Sequence, residues 1–351
     1  MDYMKRLKKL LVGTLVLSFF LGVVAMPIDA KGNLNSTNWM KKIPDDTSLK
    51  DITIPGTHDS CTNGVGTVFT RDHGAILKAW AKTQDTSITE QLNNGIRLLD
   101  FRLEYDDSMY GYNELALCHG DNRLFTCSCN ITFYDALYEV RDFLLDHPTE
   151  TVIISMKNED YRGMTDKFLE QIKLFRRIME EGDESGALDI FYTGDTIPTL
   201  GEARGKIVIL NRMYDDDKKD LQFGIKYDDS TIEDDFELFA DEKIVAIEDA
   251  LEKIEKGQNT KDRAVITYTS TNPITRVVDD ISWTNIIKLI AMSGKTGTEA
   301  YLSKITYTSG VINDWLLNDR DLNKVDCYGW FFMDYPSNAL IKKLYKINYR
   351  K

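Results

Sequence analysis

Short apolar runs recur along this chain, and each ends in a titratable or charged residue. Ile52 and Ile54 lead into Pro55-Gly56-Thr57-His58-Asp59-Ser60, Leu98-Leu99-Asp100-Phe101 into Arg102, and Leu115-Ala116-Leu117-Cys118 into His119. Farther on, Val152-Ile153-Ile154-Ser155-Met156 leads into Lys157, Ile207-Val208-Ile209-Leu210-Asn211 into Arg212, and Trp330-Phe331-Phe332-Met333 into Asp334. Runs this short and this apolar read as buried strands. Helical patterns lie between them. Ser87-Ile88-Thr89-Glu90 and Thr132-Phe133-Tyr134-Asp135 have capping-box spacing. The second of these helices carries Phe133, Leu137, Val140 and Leu144 on one face and stops before Pro148; another carries Ile244, Ile247, Leu251 and Ile254 and ends at Gly257. Apolar strands alternating with such helices predict βα units and a parallel sheet, with the polar residues gathered at the mouth formed by the strands' C-terminal ends. The stretch from Tyr214 to Asp235 is acidic and weakly patterned, so the sixth strand is the least defined element and a complete eight-stranded barrel cannot be assumed.

The first thirty residues read differently. Lys5, Arg6, Lys8 and Lys9 precede an apolar stretch from Leu10 to Ala25, and small residues follow. That is the order of a secretory signal, with cleavage after Ala25 or Ala30, and it predicts export. A retained membrane anchor is the alternative, since the stretch approaches the ~20 residues of a span. Residues 31–351 contain no repeat, low-complexity tract or linker and are read as one domain. The formal charge of the whole chain is −13, and removing residues 1–30 takes away more basic than acidic side chains. Such an acidic chain lacks the clustered Lys and Arg that bind nucleic acid, so no nucleic-acid partner is expected. Five cysteines are too few for a disulfide scaffold. A pair among Cys118, Cys127 and Cys129 is compatible with export, as are buried thiols, and Cys127-x-Cys129 has no second pair to complete a zinc site.

Of the four histidines, His58 and His119 follow strands. A pair of imidazoles on opposite sides of a phosphodiester can serve as general base and general acid. Arg102 can fork onto phosphate oxygens, and Asp59 and Asp334 can orient the two rings. His147, before Pro148, suits a helix end, and His73 a loop. Lys157 and Arg212 are read either as rim ion pairs or as substrate contacts. The runs Asp215-Asp216-Asp217 and Asp228-Asp229 are read as solvated loops, with calcium binding as the alternative.

From Trp39 to about Ile347 the chain resembles the bacterial phosphatidylinositol-specific phospholipases C. The motifs that carry the resemblance are Ile54-Pro55-Gly56-Thr57-His58-Asp59-Ser60, Gly95-Ile96-Arg97-Leu98-Leu99-Asp100-Phe101-Arg102 and His119-Gly120, with Phe143 to Ile153 and Ala203-Arg204-Gly205-Lys206-Ile207-Val208. The resemblance implies an α/β fold, an irregular and partly open TIM (βα)8-type barrel in a single domain. It implies that His58 takes the proton of the inositol 2-hydroxyl, that His119 protonates the departing diacylglycerol oxygen, and that Arg102 holds the phosphate. Asp334 then orients His58 and Asp59 assists His119, while Lys157, Arg212 and Asp234 contact inositol. The products implied are diacylglycerol and inositol 1,2-cyclic phosphate, hydrolysed more slowly to inositol 1-phosphate.

No cofactor and no metal is implied, because Arg102 stands where metal-dependent relatives keep a calcium-binding carboxylate; Asp100 and Glu104 share its strand face. Trp80 matches a rim Trp that enters the lipid interface, so a transient membrane contact is expected of a monomeric, secreted enzyme. Glycosylphosphatidylinositol-anchored proteins are left open as further substrates. Two departures touch the pocket rim: Asp121 follows His119-Gly120 where a Pro is more usual, and Phe236 keeps the ring but not the hydroxyl of a Tyr often found there. A metal-dependent phosphodiesterase acting on other phospholipids and a non-catalytic inositol-lipid-binding module are the competing readings.

Overall fold

Alternation of inward and outward side chains, with both faces covered, organises the sheet. The computed structural model describes residues 35–65, 81–106, 113–121, 125–160, 162–182, 185–258, 263–271 and 310–350. The secretory stretch, His73 and Trp80 lie outside them. No helix among the described residues is long and apolar enough to cross a membrane.

Ten strands form one sheet: β1 (Ile54–Thr57), β2 (Leu98–Asp106), β3 (Glu114–Asp121), β4 (Phe125–Thr132), β5 (Val152–Asn158), β6 (Ile207–Asn211), β7 (Ile225–Lys226), β8 (Thr231–Glu233), β9 (Val265–Tyr268) and β10 (Trp330–Met333). Eight run in the order β7-β6-β5-β2-β1-β10-β9-β8, each parallel to its neighbours. Every residue of β1, β2, β6, β9 and β10 is buried; β6 and β10 accordingly read as nearly unbroken apolar runs, whereas β2 alternates apolar residues with the buried charges Asp100, Arg102, Glu104 and Asp106. Helices cover the outer face: α1 (Ile88–Asn94), α2 (Phe133–Asp146), α3 (Asp166–Glu181), α4 (Leu200–Ala203), α5 (Ala240–Glu255) and α6 (Asn338–Tyr345). Ser87 and Glu90 form the expected capping box on α1, and Thr132 caps α2, which buries Phe133, Leu137, Val140 and Leu144. His147 closes α2, its N–H donating to the Phe143 carbonyl.

The barrel is open. β7 and β8 are the two ends of the strand order, and no pairing among the described residues joins them. The seam falls in the weakly patterned acidic stretch, where two- and three-residue strands offer too few backbone bonds to close a ring.

One strand departs from the sequence expectation. The run ending at His119 is not a parallel barrel strand: β3 runs antiparallel to β2 and pairs with β4 as a hairpin. β1 pairs with β2 only at Leu98 and Leu99, whereas β2 continues to Asp106. Beyond the end of β1, β3 takes over that edge from Leu103 onward and descends toward the mouth, delivering His119. Apolar alternation sets which face a residue occupies, but it is silent on strand direction.

At the opposite end of the barrel, Arg97 and Glu150 precede β2 and β5 and are fully buried. Arg97 Nε and Nη2 donate to Glu150 Oε2 at 3.1 and 3.0 Å, and Nη1 donates to the carbonyls of Leu92 and Ile96. Glu150 also accepts the Met40 N–H, Trp39 Nε1 donates to the Gly95 carbonyl, and the Trp39 ring stacks on Tyr345 at 5.5 Å. Arg97 of the second motif therefore holds the barrel floor and takes no part in chemistry at the mouth. Breaking a buried pair strands its partner charge at a cost of about 3–5 kcal/mol. Glu150→Gln is expected to lower unfolding free energy by about that amount in urea titration, with the site at the mouth retaining its ligand affinity in the folded fraction.

Candidate active site

Strand C-termini deliver the site. His58 and Asp59 follow β1, Arg212 follows β6, Asp234 follows β8 and Asp334 follows β10, while Lys157 lies near the end of β5. Arg102 is on β2 at the level of Lys157, and His119 comes from the hairpin. The approach of β1 to its neighbours requires a glycine: a Cβ on Gly56 would lie 2.7 Å from Leu98 Cβ, the Leu98 carbonyl oxygen and the Phe331 carbonyl oxygen. Past His58 the chain turns sharply, with Asp59 in the left-handed region at φ 44°, a conformation Asp tolerates better than most residues. The turn is pinned from below. Gln84 Nε2 donates to the carbonyls of His58 and Met333, and the hydroxyls of Thr57 and Ser60, 2.8 Å apart, bond to Gln91, to backbone and to each other. Those two hydroxyls therefore hold the turn and do not face the mouth as reactive groups.

The geometry around the two imidazoles is compact. His58 Nδ1 is 2.9 Å from Asp334 Oδ1, and its Nε2 is 3.2 Å from Asp59 Oδ2. His119 Nε2 is also 3.2 Å from Asp59 Oδ2, and its Nδ1 is 2.6 Å from the Ala81 carbonyl. One carboxylate oxygen thus lies between two imidazoles whose ring centroids are 6.3 Å apart. Both nitrogens of His119 face oxygens that only accept, an arrangement that accommodates the proton a general acid must carry. Burial alone would lower the pKa of His58, but the Asp59 and Asp334 carboxylates outweigh it and raise it to about 9.

Arg102 is held by three carboxylates. Its Nε lies 3.0 Å from Asp59 Oδ1 and donates to Asp100 Oδ2 at 2.8 Å; Nη2 donates to Asp100 Oδ2 at 2.7 Å, and Nη1 to Glu159. These contacts use Nε and one hydrogen on each terminal nitrogen, so two of the five guanidinium N–H groups remain for an anionic ligand. Burial opposes the charges, yet Arg102 holds Asp100 well below the usual carboxylate range, with Arg212 assisting. Glu159 is pushed down to about 2 against its burial by Arg102, Lys157 and His119. Glu159 also accepts from Lys157 Nζ at 2.9 Å and from the Gly120 N–H at 3.3 Å. Arg212 donates to the Tyr268 hydroxyl at 3.0 Å and lies farther from Asp100 (3.7 Å) and Asp234 (3.9 Å). Burial raises Asp234 above its ordinary value, with Arg212 opposing.

His58, His119, Arg102, Asp59, Asp334, Lys157, Arg212 and Asp234 therefore come together at one mouth. Phe236 is half-exposed just beyond Asp234, on a loop whose carbonyls accept from Thr271. Sequence reading missed Glu159 and Tyr268. Tyr268 ends the run Val265-Ile266-Thr267 in the same way that Arg102 and Asp334 end theirs, and Glu159 stands two residues beyond Lys157; both signals were present. Of the two states left open for the cysteines the structure has free thiols: all five are unbridged and four are buried. Cys118 stands opposite Ser128, Cys127 opposite His119, and Cys127 and Cys129 are two apart on one strand, a spacing unfavourable for bridging.

A raised His58 pKa has a consequence for stability. Measured against an unfolded value near ~6.5, its ion pairs contribute fully below that pH and are lost as pH rises through about 9. Denaturation free energy is expected to fall by on the order of 1–3 kcal/mol between those pH values, and in His58→Asn this decline is expected to disappear.

Residues 52–213 match the family described as phosphatidylinositol-specific phospholipase C, X domain. The chain is 29% identical over 320 residues to a 1-phosphatidylinositol phosphodiesterase of Staphylococcus aureus, covering 85% of this chain and 88% of that one. It is 30% identical over 219 residues to the protein of the same name from Listeria monocytogenes, covering 59% and 60%. Its fold is similar to the solved phosphatidylinositol-specific phospholipase C of L. monocytogenes, with a TM-score of 0.60 at 22% identity over 90% of this chain and 99% of that one. A structure of the S. aureus phospholipase, described in terms of its membrane binding, gives a TM-score of 0.63 at 22% identity over 90% and 98%.

Proposed function

We propose, from the premise that this chain carries the X domain of the phosphatidylinositol-specific phospholipases C and groups with the bacterial enzymes, that it cleaves phosphatidylinositol to diacylglycerol and inositol 1,2-cyclic phosphate. The observation that carries the reading is the pair of imidazoles across Asp59, beside an arginine with two N–H groups to spare. In this reading His58 Nε2 exchanges its Asp59 contact for the inositol 2-hydroxyl and takes that proton as the oxygen attacks phosphorus. His119 gives its proton to the departing diacylglycerol oxygen, and Asp59, in contact with both rings, offsets the charge on each. Attack from within the substrate gains the orientation that a bimolecular reaction lacks. Arg102 takes the non-bridging phosphate oxygens on its free N–H groups, and Lys157, Arg212 and Asp234 face the ring hydroxyls.

The reaction is read as independent of metal. Among the described residues two sets of ligand atoms are close enough to hold a cation, His58 with Asp59 and Asp100, and Asp59 with His119 and Glu159. Their carboxylates are the three that pair with Arg102, so a divalent ion would sit against a guanidinium already bound to all of them. Export, a monomeric state, transient membrane contact and action on glycosylphosphatidylinositol anchors belong to the same proposal. The basic, then apolar, N-terminal pattern supports the first of these.

Release of diacylglycerol from phosphatidylinositol in mixed micelles, with phosphatidylcholine as control, tests the function; turnover of both lipids alike, or of neither, contradicts it. The raised His58 pKa adds a signed expectation. The base must be neutral, so kcat/KM is expected to climb with pH toward about 9. Asp334→Asn removes one of the anions that raise that value, and its climbing limb is expected at lower pH with a smaller maximum, because the ring loses its orienting acceptor.

A further inference from the structure

The open seam of the barrel is bridged by side chains where backbone bonds are missing. Tyr227, the first residue after β7, donates its hydroxyl to the Tyr268 hydroxyl at 3.2 Å, and Tyr268 ends β9 on the far side of the seam. Arg212, the first residue after β6, donates to the same oxygen at 3.0 Å, and its guanidinium carbon lies 4.6 Å from the centroid of the Tyr227 ring. Tyr268 is itself immobilised: it is fully buried, stacked on Phe332 at 4.7 Å, and meets His58 edge-on at 5.9 Å.

The two arginines of the site are held in opposite ways. Arg102 is committed to carboxylates at hydrogen-bonding distance, whereas Arg212 has its short contact with a neutral oxygen and stands 3.7 and 3.9 Å from Asp100 and Asp234. An arginine drawn into forked carboxylate pairs spends most of its donors inside the protein, as Arg102 spends three of five. One oriented through a phenol keeps them for a ligand. Burial holds the Tyr268 hydroxyl pKa well above its ordinary value, so it stays neutral and an acceptor through the working range.

We propose that the Tyr268 hydroxyl is a positioning group for inositol recognition, bridging Tyr227 and Arg212 across the open seam so that the Arg212 guanidinium meets the ring hydroxyls of the headgroup. This rests on the headgroup reading above. Phe at this position keeps the stack on Phe332 and the edge contact with His58 and removes only the oxygen.

The test is a double-mutant cycle on the affinity for myo-inositol, followed by NMR titration of the full chain, with Tyr268→Phe, Arg212→Ala and the combined variant. Tyr268→Phe is expected to weaken binding about tenfold, the loss of one hydrogen bond to a charged group, and to add nothing in the Arg212→Ala background. Tyr227→Phe, which leaves both rings in place, is expected to act in the same direction with a smaller effect and provides the readout should Tyr268→Phe fold poorly. In turnover the loss is expected in KM, with kcat little changed. Wild-type affinity in both tyrosine variants, or losses that multiply in the double variant, would overturn the assignment. Failure of the wild-type protein to cleave phosphatidylinositol would instead refute the phospholipase reading and leave the cycle on myo-inositol interpretable.

Discussion

The site depends on one buried arginine and the three carboxylates around it. Arg102 and its partners Asp59, Asp100 and Glu159 are almost without solvent contact. Taking any of these charges out of water alone costs several kcal/mol, so none is stable there without the others. Each carboxylate then does a second task. Asp59 reaches both imidazoles, Glu159 reaches Lys157 and the backbone next to His119, and Asp100 fixes the Asp59 N–H and faces Arg212. Positioning of both imidazoles, Lys157 and Arg212 is thereby coupled to a single ion cluster.

In the proposed reaction the same cluster stands in for a cation at the phosphate. Charge stabilisation in a displacement at phosphorus comes from donors already aimed where negative charge develops, and buried donors act more strongly than solvated ones. Arg102 is oriented before any ligand arrives and holds two N–H groups in reserve. The barrel supplies the rigidity this needs: strands buried on both faces carry the residues, Gly56 lets β2 and β10 close on β1, and the Arg97–Glu150 pair ties β2 to β5 at the floor. At the seam, where the sheet provides no such rigidity, Tyr268 and Tyr227 stand in for it.

Much of this was legible in the chain. A buried strand in a parallel barrel must be apolar on both faces, so the first polar side chain beyond it marks the mouth, and His58, Arg212 and Asp334 follow directly from that rule. The weak patterning between Tyr214 and Asp235 left closure of the barrel open, and the seam falls there for a related reason: strands of two or three residues cannot bury enough to leave a strong pattern. The direction of β3 was not legible, because alternation records faces and not polarity of pairing. Glu159 escaped notice because a carboxylate near Lys157 looks like its surface partner until Arg102 is seen to reach it from the neighbouring strand. Tyr268 escaped because a tyrosine at the end of an apolar run reads as core, and its role exists only where three elements meet. Sequence proximity left a pair among Cys118, Cys127 and Cys129 open, and the hairpin register decides for free thiols.

The central claim is that the Arg102 cluster and two imidazoles drive attack by the substrate's own hydroxyl without a metal ion. Phosphorus NMR of phosphatidylinositol cleavage in detergent, with excess chelator, tests it most directly. A cyclic phosphodiester signal that appears first and then decays to inositol 1-phosphate is the predicted course. Inositol 1-phosphate formed without the cyclic species, or no reaction until calcium is restored, would contradict it and move the chemistry to a cation held by Asp59 and Asp100 with His58, or by Asp59 and Glu159 with His119.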